Sequence, residues 1–238
     1  MADITDHWIE WWNTENVVSP ATWNSNMEIF IAASESLLHY DSQDIVLDVG
    51  SGPGCLAASL KDRVKEIHCL DTSQRYLDIC QEKFAAANNI FVHRLDERNY
   101  TDLSFLPEQR FSIIVCQSVV QYYRSVGEVE RMIQEVRRVA SPGARFLIAD
   151  IPIAGSVIQQ ACGLLMGAFK EKRLREVFRM MLRILATAKH RKAYLSSGLL
   201  TFSDEMLRGL IGKLQLDAEV LSSRLTVNAN RKHLLIKF

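Results

Sequence analysis

Leu47-Asp48-Val49-Gly50-Ser51-Gly52-Pro53-Gly54 closes a short apolar run and opens onto an apolar-periodic segment that begins at Cys55. Such a stretch, ending in an acid and three alternate glycines, describes a strand whose tip turns sharply into a helix. The turn leaves bare backbone amides open to a ligand at the helix start. Asp44 to Val49 supplies the strand, and Pro53 falls where a missing amide is tolerated. The dinucleotide form of this turn requires a third glycine in G-x-G-x-x-G, but Cys55 stands in that place, which weakens a pyrophosphate reading.

Working outward, Glu66 to Asp71 reads as a second strand, after which Ser73 caps a helix with Tyr76, Leu77, Cys80 and Phe84 on one face. Phe91 to Asp96 is a third strand and Phe111 to Cys116 a fourth, continuously apolar as a strand covered on both faces should be. Ser125-Val126-Gly127-Glu128 has capping-box spacing, and the helix it opens runs to Pro142-Gly143. Ala144 to Ala149 is a fifth strand, and the alternation predicts a parallel sheet with helices on both faces. Ser203 then caps a last helix. Ala218 to Thr226 and Lys232 to Phe238 follow as strands joined by a short Asn-containing loop, which permits only antiparallel pairing.

Gly50 and Asp71 lie 21 residues apart, which fits one strand-helix unit followed by an acid at the next strand end. The glycine turn with that acid resembles motif I and the ribose acid of class I S-adenosylmethionine-dependent methyltransferases. The resemblance covers residues 40 to 150, and 200 to 238 by topology. It implies an α/β fold: a doubly wound, mostly parallel seven-stranded sheet with an antiparallel C-terminal hairpin strand. Dinucleotide dehydrogenase domains lack that hairpin. The resemblance also implies S-adenosylmethionine as cofactor, bound by Asp48, Gly50, Ser51, Gly52 and Gly54 of the turn. Asp71 and Thr72 would meet the ribose, Asp96 and Glu97 the adenine, and Gln117 and Ser118 the methionyl end. The Asn/Asp-Pro-Pro-Tyr-like signature of amino-methylating enzymes acting on DNA bases or glutamine is replaced by Cys116-Gln117-Ser118-Val119-Val120.

Methyl transfer is an in-line displacement at a sulfonium, so holding donor and nucleophile in line in a dry pocket supplies much of the effect. For an oxygen acceptor a general base assists, and His7, Tyr122, Tyr123 and His190 are the candidates near the expected crevice. The expected acceptor is a small molecule methylated on oxygen, nitrogen or carbon, of natural-product, quinone or lipid type. Two rival readings are a nicotinamide-dependent oxidoreductase and a non-catalytic donor-binding or membrane-associated protein.

The 238 residues carry 28 Lys and Arg against 28 Asp and Glu, so no global field favours nucleic acid. Cysteines 55, 69, 80, 116 and 162 show no metal or disulfide spacing and read as reduced thiols, and no metal site is expected. An acidic start without an apolar block reads as a cytoplasmic chain, monomer or homodimer, forming one domain. Residues 1 to 43 hold all four tryptophans and read as a helical cap. Residues 153 to 197 read as a helical insertion in which nine basic residues, from Lys170 to Lys192, face only Glu171 and Glu176. That insertion is a packed helix, a substrate lid, or a helix in peripheral contact with anionic membrane.

Overall fold

The computed structural model describes residues 4–14, 20–155, 169, 175, 178, 182, 198–228 and 230–238. Helices α1 (Ile4–Thr14) and α2 (Pro20–Leu38) precede strand β1 (Ile45–Val49). There follow α3 (Cys55–Leu60), β2 (Glu66–Asp71), α4 (Gln74–Lys83), β3 (Ile90–Arg94) and β4 (Phe111–Gln117). A short 3-10 turn at Val120–Tyr122 leads to α5 (Val126–Val139) and the long β5 (Ala140–Pro152). The last described elements are α6 (Asp204–Leu214), β6 (Asp217–Leu221) and β7 (Arg231–Lys237).

The seven strands lie in the order β3-β2-β1-β4-β5-β7-β6. Pairs among β1 to β5 are parallel, whereas β7 runs antiparallel to both β5 and β6. The expected architecture is therefore the observed one. Side chains alternate between faces along each strand, so the apolar runs of the central strands feed two cores. Leu47, Ile114, Phe146 and Ile148 meet α5 and α6 on one face, while Val46, Ile113, Val115 and Leu147 meet α2, α3 and α4 on the other. The N-terminal segment thus does more than cap strand ends, because Phe30 and Leu38 of α2 are fully buried in the second core.

Strand order reverses at β1, whose neighbours are β2 on one side and β4 on the other. The loops leaving these strands part in opposite directions and open a crevice at their carboxyl ends. Three local expectations need correction. The capping-box serine, Ser125, makes no side-chain cap; Glu128 accepts from the Arg124 amide at 2.9 Å and from the Tyr100 hydroxyl, which draws it inward. β3 stops at Arg94, so Asp96 falls in the following turn. β6 ends at Leu221 rather than Thr226, and the connection to β7 turns back over the crevice. The basic stretch of the insertion lies almost wholly outside the described residues; within it Phe169, Phe178 and Leu182 are exposed. Among the described residues no helix is long and apolar enough to cross a membrane. Cys55, Cys69, Cys80 and Cys116 are buried.

Candidate active site

The crevice is a cavity of about 420 Å³, within the size range of small-molecule sites. Its floor is the glycine turn after β1. Gly50, Gly52 and Gly54 all adopt positive φ, at 76°, 53° and 72°. Side-chain-free residues are required for packing as well as for dihedral angle. A Cβ on Gly50 would stand 2.3 Å from a Val119 methyl, and one on Gly54 would stand 2.8 Å from the Cys80 sulfur and the Phe84 ring.

The turn differs from its sequence reading in one respect. The amides of Gly50 and Ser51 donate to the Leu70 carbonyl at 2.8 and 2.9 Å, and the Gly54 amide donates to the Ser51 carbonyl at 3.1 Å. The Gly52 amide donates to Asp71 Oδ2 at 2.8 Å. Bare amides open to a ligand are therefore not what the turn offers, since buried donors find acceptors within the protein. Gly50 and Gly52 instead present backbone without side chains to the cavity.

Asp71, at the end of β2, lines the cavity beside Thr72. Its Oδ1 accepts from the Ser73 amide at 2.8 Å while Oδ2 holds Gly52. A carboxylate has about four lone-pair sites, so with the Gly52, Ser73 and Thr72 amides on it Asp71 keeps capacity for a further donor. Burial pushes its pKa up, and the amides of Ser73, Gly52 and Thr72 pull against that shift. Asp48 is buried behind the turn and outside the cavity lining, and burial holds its carboxyl well above the usual carboxylate range, with Cys80 and Asp71 adding to the rise. Ser51 and Gly54 also lie off the lining.

Gln117 and Ser118 at the end of β4 line the cavity, as do Tyr122 and Tyr123. Burial pushes the Tyr122 phenol up to about 12 and the Tyr123 phenol well above its ordinary value, so both stay protonated near neutrality and can donate a hydrogen bond but not remove a proton. Asp96 and Glu97 are absent from the lining: Asp96 Oδ1 accepts from the Arg98 amide at 2.9 Å, and Glu97 pairs with Arg94 at 3.2 Å. Leu95, one residue earlier, does line it. His190 and the side chain of His7 fall outside the described residues.

Helix α1 roofs the cavity with Trp8, Trp11 and Trp12. The rings of Trp8 and Trp12 pack on Tyr122 with centroids 5.1 and 5.6 Å away. Hydrogen bonds help hold the roof: Trp8 Nε1 donates to the Gly198 carbonyl at 3.1 Å, and the Ser73 hydroxyl donates to Asn13 Oδ1 at 2.9 Å. The far rim comes from residues the sequence did not single out: Asp150 at the end of β5, Thr226 in the β6–β7 connection, and Arg231 at the start of β7. A lone acid after a strand was the one available sign, at Asp150. Nothing local marks Thr226 or Arg231.

A family model described as a methyltransferase domain matches residues 46–143, from β1 into β5. Over residues 46–143 the chain thus matches the methyltransferase-domain family. Its sequence is similar to chondramide synthase cmdD of Chondromyces crocatus, 29% identical over 131 residues, which are 53% of this chain and 3% of that protein. The chain spans only a few percent of the length of the curated relatives it matches. Its fold is similar to that of a SAM-dependent methyltransferase from Leishmania major, with a TM-score of 0.62 at 11% identity, covering 98% of this chain and 82% of that one. It is also similar to the N-methyltransferase NodS from Bradyrhizobium japonicum WM9, solved with S-adenosyl-L-homocysteine. That match has a TM-score of 0.57 at 13% identity over 99% of this chain and 98% of NodS.

S-adenosylmethionine fits the residues present. Asp71 is half-buried in the cavity wall with capacity for a further donor, and Gly50 and Gly52 beside it present backbone without side chains to the same cavity.

Proposed function

We propose that this methyltransferase moves the methyl group of S-adenosylmethionine to a small-molecule acceptor bound on the β4–β5 side of the same cavity. The observation that carries this reading is the join between Asp71 and Gly52, because it sets a diol-binding carboxylate beside a side-chain-free floor at the topological switch point. Asp71 and Thr72 would hold the ribose, Gly50 and Gly52 the chain toward the sulfur, and Gln117 the methionyl end, while Ser118, bonded to Asp150, stands on the acceptor side. When bound, the cofactor supplies an electrophilic methyl on a positively charged sulfur.

The protein's own part is positional. Trp8, Trp12 and Tyr122 form an aromatic wall that excludes water and faces a cation favourably. Protonated Tyr122 and Tyr123 can orient an acceptor oxygen or nitrogen by donating to it. Since neither phenol serves as base, an acceptor nucleophilic without deprotonation, such as a neutral amine, suits these residues. Similarity to an N-methyltransferase, to chondramide synthase and to a probable nonribosomal peptide synthetase of Salinispora arenicola agrees with a nitrogen acceptor of natural-product type. The antiparallel β7 between β5 and β6 departs from a dinucleotide-binding sheet, which disfavours the oxidoreductase reading.

Calorimetric titration tests the assignment. S-adenosylhomocysteine should bind saturably and NAD should not. The reverse order of affinity would remove the methyltransferase reading.

A further inference from the structure

Arg231 opens β7 and lines the cavity with a side chain only 12% exposed. Its Nε lies 3.5 Å from Asp150 Oδ1 but makes no hydrogen bond there, and both Nε and Nη1 are buried without a hydrogen-bond partner. A guanidinium carries five donors, and leaving buried donors unpaired is costly, so a site that retains them is poised for an acceptor from outside the chain. Asp150 does not supply it in this geometry: it is held 3.5 Å away in an ion pair without a hydrogen bond, its carboxylate engaged by the Ser118 hydroxyl at 2.8 Å on Oδ2 and the Thr226 hydroxyl at 3.0 Å on Oδ1.

The rim around this arginine is held firmly. Asp150 and Ser118 both sit in the left-handed region, at φ 65° and 59°, a conformation non-glycine residues adopt only when their surroundings enforce it. The Asp150 amide donates to His233 Nδ1 at 3.1 Å, which ties the main chain of the rim to β7. In the sheet order, β7 stands four strand steps from β2. At roughly 4.8 Å per step this sets Arg231 about 19 Å from the Asp71 end of the crevice. The aromatic wall of Trp8, Trp12 and Tyr122 lines the space between the two ends.

We propose that Arg231 is a specificity residue that receives a carboxylate of the methyl acceptor, the acceptor being an aromatic or apolar molecule with a carboxylate at its far end. This rests on the methyl-donor reading for the word acceptor, but the carboxylate site itself does not. A planar guanidinium matches a planar carboxylate with two parallel hydrogen bonds, a pairing that an ammonium cannot reproduce. Asp150 is a positioning residue here: with Ser118 and Thr226 it fixes the guanidinium so that the unpartnered edge is left for the ligand.

The test uses the full chain, with and without saturating S-adenosylhomocysteine, and follows tryptophan fluorescence, since Trp8, Trp11 and Trp12 line the cavity. Benzoate, phenylacetate and 3-phenylpropionate are each titrated against the corresponding primary amide. At least one carboxylate should bind roughly ten- to hundredfold more tightly than its amide. Arg231→Gln should erase that preference while S-adenosylhomocysteine affinity stays unchanged, and Arg231→Lys should keep part of it. The absence of any carboxylate preference, or a preference that survives Arg231→Gln, overturns the proposal. Loss of S-adenosylhomocysteine binding by the unaltered protein sinks the donor reading instead, and the titration without it still decides the role of Arg231.

Discussion

The carboxylate of Asp71 accepts the amide hydrogen of Gly52 at 2.8 Å, joining the tip of the first strand-helix unit to the end of the second across 19 residues of chain. One bond therefore shapes the turn and orients the acid. Their coupling explains why the turn and the acid can be read as one unit.

Asp71→Ala should weaken S-adenosylhomocysteine binding by roughly ten- to a hundredfold, because a charged acceptor worth about 1.5 to 3 kcal/mol is lost. It also frees the Gly52 amide, so Asp71→Asn should recover only part of the affinity: it restores an oxygen but adds unwanted donors. Calorimetry on the three proteins measures this, and equal affinities would take Asp71 out of the site.

Gly54→Ala and Gly143→Ala separate steric from conformational cost. Both residues have positive φ, 72° and 81°, but an added Cβ at Gly54 meets Cys80 and Phe84 while Gly143 has nothing within 4 Å. Gly143→Ala should cost about 1 kcal/mol from the left-handed backbone alone. Gly54→Ala should cost about 2 to 4 kcal/mol, since overpacking adds to that strain. Urea melts of both variants give the difference, and equal losses would show that the α4 contact yields freely.

Glu128 is buried and accepts from the Tyr100 hydroxyl and the Arg124 amide, with Arg131 3.3 Å away. Glu128→Ala removes the acceptor of those two donors and should destabilise the fold by about 2 to 6 kcal/mol, at about 1 to 3 kcal/mol per unsatisfied group. Glu128→Gln keeps an acceptor and should lose less. Thermal melts that rank the two in the opposite order would assign Glu128 to surface charge rather than to the core.

Stability should fall as pH drops from about 6.5 toward 4. Burial lowers the pKa of His68 and of His233 to about 4, and that of His93 in the same direction. Below 6.5 the unfolded chain takes up protons that the folded rings refuse, so the stabilisation is complete above 6.5 and lost progressively as the pH approaches 4. Each of the two strongly shifted rings contributes up to about 3 kcal/mol at neutral pH. Denaturation midpoints at pH 7.5, 5.5 and 4.5 should decline in that order, and a rise on acidification contradicts buried neutral imidazoles.

Strand existence, the glycine turn, the spacing to Asp71 and the hairpin at the end of the chain are all written locally. Period-two and period-3.6 patterns, together with glycine at positive φ, need only near neighbours in sequence to be recognised. The same locality accounts for the misjudged parts. Spacing alone offered Ser125 and Glu128 as a capping box, but Glu128 turned inward because Tyr100, 28 residues away, is within its reach. The turn amides looked open because their acceptors, Leu70 and Asp71, belong to another strand.

By itself, then, the amino-acid order determined the doubly wound sheet and the end of the crevice that suits a methyl donor. Only the tertiary structure decided the other end, where Ser118, Asp150, Thr226 and Arg231 meet from β4, β5 and the β6–β7 connection. Thr226 and Asp150 are 76 residues apart, and no periodicity carries information over that distance. Antiparallel insertion of β7 beside β5 brings them together, and burial there leaves a guanidinium with donors the chain does not satisfy.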